Sequence, residues 1–313
     1  MAKVRAAVIG TGYLGQFHAE KYAAHPGVEL VGIVDTDKER AELIGKKCSA
    51  PFFTDHRQLL GKVDAASIVT PTGSHFEVSR DFLLAGSDVL IEKPITTTLA
   101  QADELIATAK QTGRLIQVGL LERYNPAVLA LAPLVTKPLF IEARRLSTFK
   151  TRALNVSVVV DLMIHDIDII FSLVKSPLKS LAAAGASVAS QFADIANARL
   201  EFENGCVASI TASRMAQKDD RTLLVVQESG PIYVDFVNRS LTQMQPKGRV
   251  DGGDALGMEE KTRTFEKADA LAHEIADFVK SVSTRQQPVV SGQVGREALE
   301  TALNIIGATP GKR

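Results

Sequence analysis

The chain has 313 residues, 45% hydrophobic and 23% charged, an ordinary water-soluble composition that predicts about two domains at roughly 150 residues each. Lys plus Arg and Asp plus Glu both number 36, and zero formal charge argues against a nucleic-acid partner, which selects a basic excess. No apolar run approaches the roughly 18 residues that span a bilayer, and MAKVRAAVIG holds too few apolar residues for a signal peptide, so a cytoplasmic protein without membrane contact is expected.

The first 120 residues alternate two signals. Residues 6–10 are an apolar run ending in glycine, and 13–24 read as a helix stopped near Pro26 and Gly27. Residues 30–35 read as a strand, 38–47 as a helix, and 65–70 as a strand ended by Pro71. Residues 76–85 form a helix with Gly86 placed as its left-handed terminator. Strand 88–94, helix 100–111 with Gly113 beyond its end, and strand 115–119 complete the series. Apolar strands alternating with helices predict a doubly wound parallel sheet covered on both faces.

From about residue 138 the texture changes. FIEARRLSTF, LAAAGASVAS, ARLEFE, CVASITAS, TLLVVQE and PIYVDFV read as strands, several alternating apolar and polar positions as an antiparallel sheet does. Asn204-Gly205 is a hairpin signal. Residues 246–263 are polar and glycine-rich and read as a loop or lid; helices follow at 268–282 and 294–306. The division expected is 1–120 and 121–313, the C-terminal helices free to pack back on the first domain.

Gly10, Gly12 and Gly15 form G-T-G-Y-L-G between the first strand and helix. Such glycines serve a tight turn, close approach of a pyrophosphate and helix–strand packing, and the helix N-terminus offers N–H groups to the anion. Asp35 ends the second strand twenty positions after Gly15, where a carboxylate accepts hydrogen bonds from a ribose hydroxyl. A carboxylate there repels a 2′-phosphate, so NAD is expected over NADP. Lys38 and Arg40 read as exposed helix residues, and a glycine turn without ligand remains the alternative.

Glu92, Lys93 and Pro94 end a parallel strand, the edge where open α/β sheets bind ligands. A lysine there can stabilise charge as a hydroxyl loses its proton; the same trio also occurs on plain surfaces. In 156–174 the acidic residues Asp161, Asp166 and Asp168 and His165 are embedded in an apolar stretch. On a helix Asp161 and His165 share a face, and a carboxylate can orient an imidazole as a general base. The alternative is a structural ion pair. With one histidine in the cluster, no metal is expected.

These motifs, with TPTGSH at 70–75 and IEKP at 91–94, occur in an order that resembles the Gfo/Idh/MocA oxidoreductases over essentially the whole chain. The resemblance implies a Rossmann domain and a C-terminal α/β domain with an open, mostly antiparallel sheet that makes a homo-oligomer, dimer or tetramer. It implies that Lys93, Asp161 and His165 are catalytic. It also implies that Gly10, Gly12, Tyr13, Leu14, Gly15, Asp35, Thr70, Pro71, His75, Glu92 and Lys93 bind the cofactor. The run VSVVV before Asp161, and Met163, stand where many members carry glycine.

ERYNPAV at 122–128, with VVVDLMIHDID, is similar to members that oxidise the 3-hydroxyl of UDP-N-acetylglucosamine. Their 3-keto product goes to an aminotransferase on the way to a diamino-sugar lipid A. That likeness implies a nucleotide-sugar substrate held by Tyr124, Asn125, Lys150, Arg152, Asp161 and His165. The basic residues Arg144, Arg145, Lys150 and Arg152 suit a diphosphate or simply charge an edge strand. Dehydrogenases of another sugar, an inositol or a biliverdin-like substrate stay open, as does a non-catalytic dinucleotide-sensing regulator.

Overall fold

The first apolar run becomes strand β1 (Val4–Ile9), and each later run adds a parallel neighbour: β2 (Val28–Val34), β3 (Phe52–Phe53), β4 (Ala65–Ile68), β5 (Asp88–Glu92) and β6 (Ile116–Gly119). The computed structural model describes residues 2–150, 154–249 and 256–309. The sheet order is β3-β2-β1-β4-β5-β6, every pair parallel. The strand reversal beside β1 creates a switch-point crevice at the carboxyl ends. Helices α1 (Gly15–Ala24), α2 (Lys38–Cys48), α3 (His75–Leu84) and α4 (Leu99–Thr112) make the crossovers. Gly86 and Gly113 have φ of +89° and +68°, the left-handed stops their positions predict.

Two compact units emerge, Met1–Leu121 with Asp269–Leu299, and Glu122–Ala268 with Glu300–Arg313. In the first, helix α7 (Ala270–Thr284) closes the core on the β1 side. In the second, short helix α5 (Pro126–Leu131) precedes strand β7 (Pro138–Thr148), and α6 (Ile164–Val174) leads into β8 (Leu178–Ala186), β9 (Ile195–Phe202), β10 (Val207–Ala216), β11 (Asp220–Gln227), β12 (Ile232–Asp235), β13 (Ser240–Arg249) and β14 (Leu256–Thr264). Their order is β14-β13-β12-β11-β7-β10-β9-β8. All pairs are antiparallel except β7 with β10. Asn204-Gly205 turns β9 into β10, with Gly205 at φ +86°.

The reading of 246–263 as a loop or lid is corrected. β13 and β14 pair in register, Gln243 with Lys261 and Gln245 with Glu259. Apart from the buried Leu241, most positions on both faces of this hairpin are polar, so the apolar alternation that marks a half-buried strand is missing; the ladder itself satisfies the backbone. Residues 250–255 lie outside the described residues.

Helix α7 (Ala270–Thr284) buries Leu271, Ile275, Phe278, Val279 and Val282 among Val4, Ala6, Val8, Ala19 and Tyr22. At about 1.5–3 kcal/mol gross per large buried side chain, this stripe holds α7 to α1 and β1. The chain ends in α8 (Gly292–Ala308). Among the described residues no helix is long and apolar enough to cross a membrane.

Candidate active site

The three glycines of the first turn meet different demands. Gly10 has φ +92°, and a Cβ there would stand 2.6 Å from the Val69 carbonyl oxygen. A Cβ on Gly15 would stand 1.9 Å from the Gly10 carbonyl oxygen. A Cβ on Gly12 would meet nothing within 4 Å. Gly10 and Gly15 are therefore required by the chain itself, whereas Gly12 faces open space where a ligand can approach. Helix α1 begins without a side-chain cap or an acidic residue in its first turn, which leaves the positive end of its dipole facing the turn, where it favours an anion. Tyr13 is 71% exposed, and Leu14 precedes α1 and packs on the core.

Asp35 is buried at the end of β2. Its Oδ2 accepts from the Thr11 backbone N–H and the Thr11 hydroxyl, both at 2.8 Å, and its Oδ1 accepts from the Asp37 N–H at 3.0 Å. Burial works to raise its pKa, but these donors and the Arg40 guanidinium, 3.7 Å away, hold it below the usual carboxylate range. Arg40 is thus drawn to the carboxylate as well as exposed. Asp35 and Arg40 line a cleft of about 900 Å³ with Gly10, Gly12, Thr70 and Pro71.

Thr70 turns a buried Oγ1 that has no hydrogen-bond partner among the described residues. An orphaned hydroxyl, an open glycine cradle, a helix N-terminus without a side-chain cap and a strand-end carboxylate together fit a dinucleotide. The His75 ring bridges the two loops beside the cleft, Nε2 at 2.9 Å from the Thr70 carbonyl oxygen and Nδ1 at 3.0 Å from that of Pro94. Its burial lowers its pKa against the pull of those carbonyls.

Glu92 does not line this cleft. Its carboxyl turns into the interior of the first unit: Oε1 lies 3.1 Å from His18 Nε2, and Oε2 accepts from the Lys93 backbone N–H at 3.2 Å. Lys93 itself is partly exposed at the strand end. His18 and its neighbour Glu274 were not singled out by sequence. A signal existed for Glu274: on α7 it occupies a position of the stripe Leu271, Ile275, Phe278, where a charged residue must have a buried partner.

In the second unit the predicted helix opens with a π turn, Val159–Met163, before α6. Such turns recur at functional sites. Asp161 lies in the π turn and is partly exposed; His165, in the first turn of α6, is buried. Behind them Arg145 is buried and holds Asp166 with two bonds of 2.8 and 2.9 Å and Glu122 with one of 3.0 Å. Burial presses the Arg145 pKa down, but Asp166 and Glu122 drive it above its ordinary value. Burial raises Asp166, and it opposes but does not overcome the arginine that lowers Glu122.

Arg145 therefore does not join a diphosphate-binding cluster. Along β7, Ile141, Ala143 and Arg145 face inward while Glu142 and Arg144 face out, and strand parity decides its fate. Asp168 is buried too, paired with Arg123 at 2.9 Å rather than facing solvent, and burial pushes its pKa up to about 6. Tyr124 is buried. Asn125 caps α5 through Ala127 N–H at 3.0 Å and donates to Glu122 at 3.2 Å, so its side chain is engaged locally. Lys150 is exposed after β7, and Arg152 lies outside the described residues.

Comparison with known proteins bears on both units. Residues 4–120 match the oxidoreductase family with an NAD-binding Rossmann fold, and residues 138–233 match the Gfo/Idh/MocA C-terminal domain. The chain is 36% identical over 307 residues to UDP-N-acetylglucosamine 3-dehydrogenase of Acidithiobacillus ferrooxidans, covering 97% of each. A solved structure of that enzyme superposes with a TM-score of 0.92 over 99% of this chain and 98% of that one. The scyllo-inositol 2-dehydrogenase (NAD(+)) of Bacillus subtilis is 27% identical, covering 92% of this chain and 89% of that protein. A Lactobacillus casei scyllo-inositol dehydrogenase holding NAD(H) shares the fold, with a TM-score of 0.82 at 19% identity over 98% of this chain and 97% of that one. The glycine cradle, the paired sheets and the full-length similarity converge: the chain belongs to the Gfo/Idh/MocA family of oxidoreductases.

Proposed function

We propose that the chain is an NAD-dependent dehydrogenase that oxidises the 3-hydroxyl of UDP-N-acetylglucosamine to a 3-keto sugar. The observation that carries this reading is the 36% identity to the Acidithiobacillus enzyme of that activity through 97% of both chains. The domain roles follow it: residues 1–120, with Asp269–Leu299 packed back on them, take the cofactor, and the rest of 121–313 takes the substrate and forms the homo-oligomer.

NAD supplies the hydride acceptor when bound. The turn of Gly10, Gly12, Tyr13, Leu14 and Gly15 holds its pyrophosphate, and Asp35 holds the adenosine ribose. Thr70, Pro71 and His75 flank it, with Lys93 at the next strand end. Lys93 holds and polarises the 3-oxygen of the sugar. His165 takes the hydroxyl proton, directly or through Lys93, and Asp161 orients the imidazole and favours its protonated form. As the oxygen's electrons form the carbonyl, the hydrogen on C3 leaves with its electron pair. Proton and hydride together account for the two hydrogens lost.

The 3-keto product is the substrate class of an aminotransferase, consistent with a lipid A diamino-sugar route in the cytoplasm. The test is NADH formation by purified protein with NAD and UDP-N-acetylglucosamine, a carbonyl-trapping amine drawing the oxidation forward. NADP and scyllo-inositol serve as parallel arms. Substrate-dependent NADH with the carbonyl at C3 supports the reading. Turnover of inositol alone replaces the substrate, and turnover with NADP alone replaces the cofactor.

A further inference from the structure

Beneath the Glu92–Lys93 turn, three ionisable side chains meet inside the first unit. His18 from α1, Glu92 from β5 and Glu274 from α7 each bring a nitrogen or oxygen within 4.8 Å of the others. His18 and Glu274 are 0% exposed and Glu92 6%. His18 is fixed at both ring nitrogens, Nε2 at 3.1 Å from Glu92 Oε1 and Nδ1 at 3.3 Å from Ser67 Oγ, which the Tyr22 hydroxyl meets at 2.8 Å. Both carboxyl oxygens of Glu274 are buried without a protein hydrogen-bond partner among the described residues. A buried carboxylate with no donor is strongly disfavoured, and a second carboxyl stands beside it.

We infer that Glu274 keeps its own proton in the interior beside Glu92, so that no second buried charge repels the Glu92 carboxylate, and that the His18–Glu92 contact positions Lys93 by holding the Glu92 carboxyl that anchors the Lys93 backbone N–H. His18 is the positioning residue; it acts through Glu92 and, fully buried, touches neither sugar nor cofactor. The role assigned to Lys93 rests on the dehydrogenase reading above. The groups facing Glu274 all push one way. Burial, Glu92 and Asp277, one turn along α7, raise its pKa well above the ordinary value. Gln117 on β6 donates to its backbone carbonyl, not to its carboxyl. His75 on α3 feels the Glu92 charge from the other side, and Tyr22 closes the α1 side through Ser67.

A divalent cation would also satisfy one imidazole and two carboxyls, and the experiment separates the two. Thermal unfolding of the wild type, E274Q and E274A is followed from pH 6 to pH 9, with infrared spectra of the same proteins. A raised folded pKa means that folding holds a proton the unfolded chain has lost, so wild-type stability falls as pH rises toward that value. E274Q keeps a neutral, isosteric group. It is expected to match or exceed the wild-type melting temperature at pH 7, to widen the gap by several degrees at pH 9, and to lose one protonated-carboxyl band; E274A is expected to melt below both. E274Q melting below E274A, or an unchanged carboxyl band, overturns the proton. So does one equivalent of divalent metal that survives dialysis against EDTA in the wild type and is absent from E274Q.

The positioning role is read from turnover with whichever of UDP-N-acetylglucosamine or scyllo-inositol is oxidised. H18Q is expected to lower kcat about tenfold with KM and NADH affinity within twofold, while E274Q keeps kcat at pH 7 and extends its alkaline limb. Unchanged kcat in H18Q overturns the positioning role. If neither substrate turns over, the dehydrogenase reading fails on its own; the NMR titration of ¹³C-dimethylated Lys93 then reports position. That titration shifts in H18Q if the His18–Glu92 contact holds the lysine, and coincidence with wild type overturns it.

Discussion

The Glu92 carboxyl occupies the space that a side chain on Gly119 would need: a Cβ built at 119 stands 2.8 Å from the carboxyl carbon and from Oε1. The two residues are direct neighbours across the β5–β6 ladder. Glycine at the end of β6 thus lets the strand-end glutamate turn inward, beneath Lys93. Gly119→Ala is expected to force that carboxyl aside, at about 1–3 kcal/mol of overpacking, and to lower kcat more than it weakens NADH binding. Urea unfolding and steady-state kinetics check both halves. Wild-type stability together with wild-type kcat in G119A would show that the contact is readily relieved.

The glycine turn separates packing from binding. Gly15→Ala places a Cβ 1.9 Å from the Gly10 carbonyl oxygen and is expected to destabilise the first unit severely. Gly12→Ala meets no protein atom within 4 Å and is expected to leave the melting temperature within about 2 °C, below what a change of 1 kcal/mol gives in domains this size. It should nevertheless weaken NADH binding tenfold or more, measured by nicotinamide fluorescence. Equal NADH affinity in G12A and wild type would contradict the cradle.

That contrast also marks how far the sequence could be read. The glycines, Asp35, and the strands with their stops are local signals: each is a residue type at a fixed offset within one strand–turn–helix. Lys93, Asp161 and His165 were legible as candidates because they sit at the end of a strand or within an apolar helix. His18 and Glu274 were not, because they stand 256 positions apart and neither implies the other until α7 packs on α1. Arg145 was misread because its neighbours Arg144 and Lys150 are basic; strand parity, which turns it inward with Ile141 and Ala143, outweighs composition. The β13–β14 hairpin escaped because its stability comes from backbone pairing rather than an apolar face.

Removal of Arg145 tests the support behind the π turn. Its guanidinium is the shared partner of Asp166 and Glu122. Arg145→Ala leaves both carboxyls buried without it and is expected to cost about 3–5 kcal/mol. Arg145→Lys restores a charge but not the two parallel bonds to Asp166, so it should recover part of the stability while kcat stays depressed through the displaced His165. Urea midpoints and kcat for the pair decide it. Full kcat in the lysine variant would mean that charge alone, not the fork, holds α6.

Asp168 gives the second unit a pH dependence of defined sign. Its folded pKa is about 6 against an ordinary 3.8, with burial the leading cause and the Arg123 guanidinium opposing it. Below the ordinary value both folded and unfolded chains hold the proton. Between there and about pH 6 the folded chain keeps it after the unfolded chain has released it, so stability falls with rising pH and then levels off. Asp168→Asn cannot lose a proton. Relative to wild type, D168N should therefore gain about 2 kcal/mol of unfolding free energy between pH 4 and pH 7, whatever constant offset comes from weakening the contact with Arg123. Taking the difference between the two proteins removes carboxylates whose pKa values are lowered, such as Asp35 and Glu122, because both chains share them. Urea unfolding at four pH values measures it. A difference that moves the opposite way would mean that the Arg123 pair, rather than burial, sets the charge of Asp168.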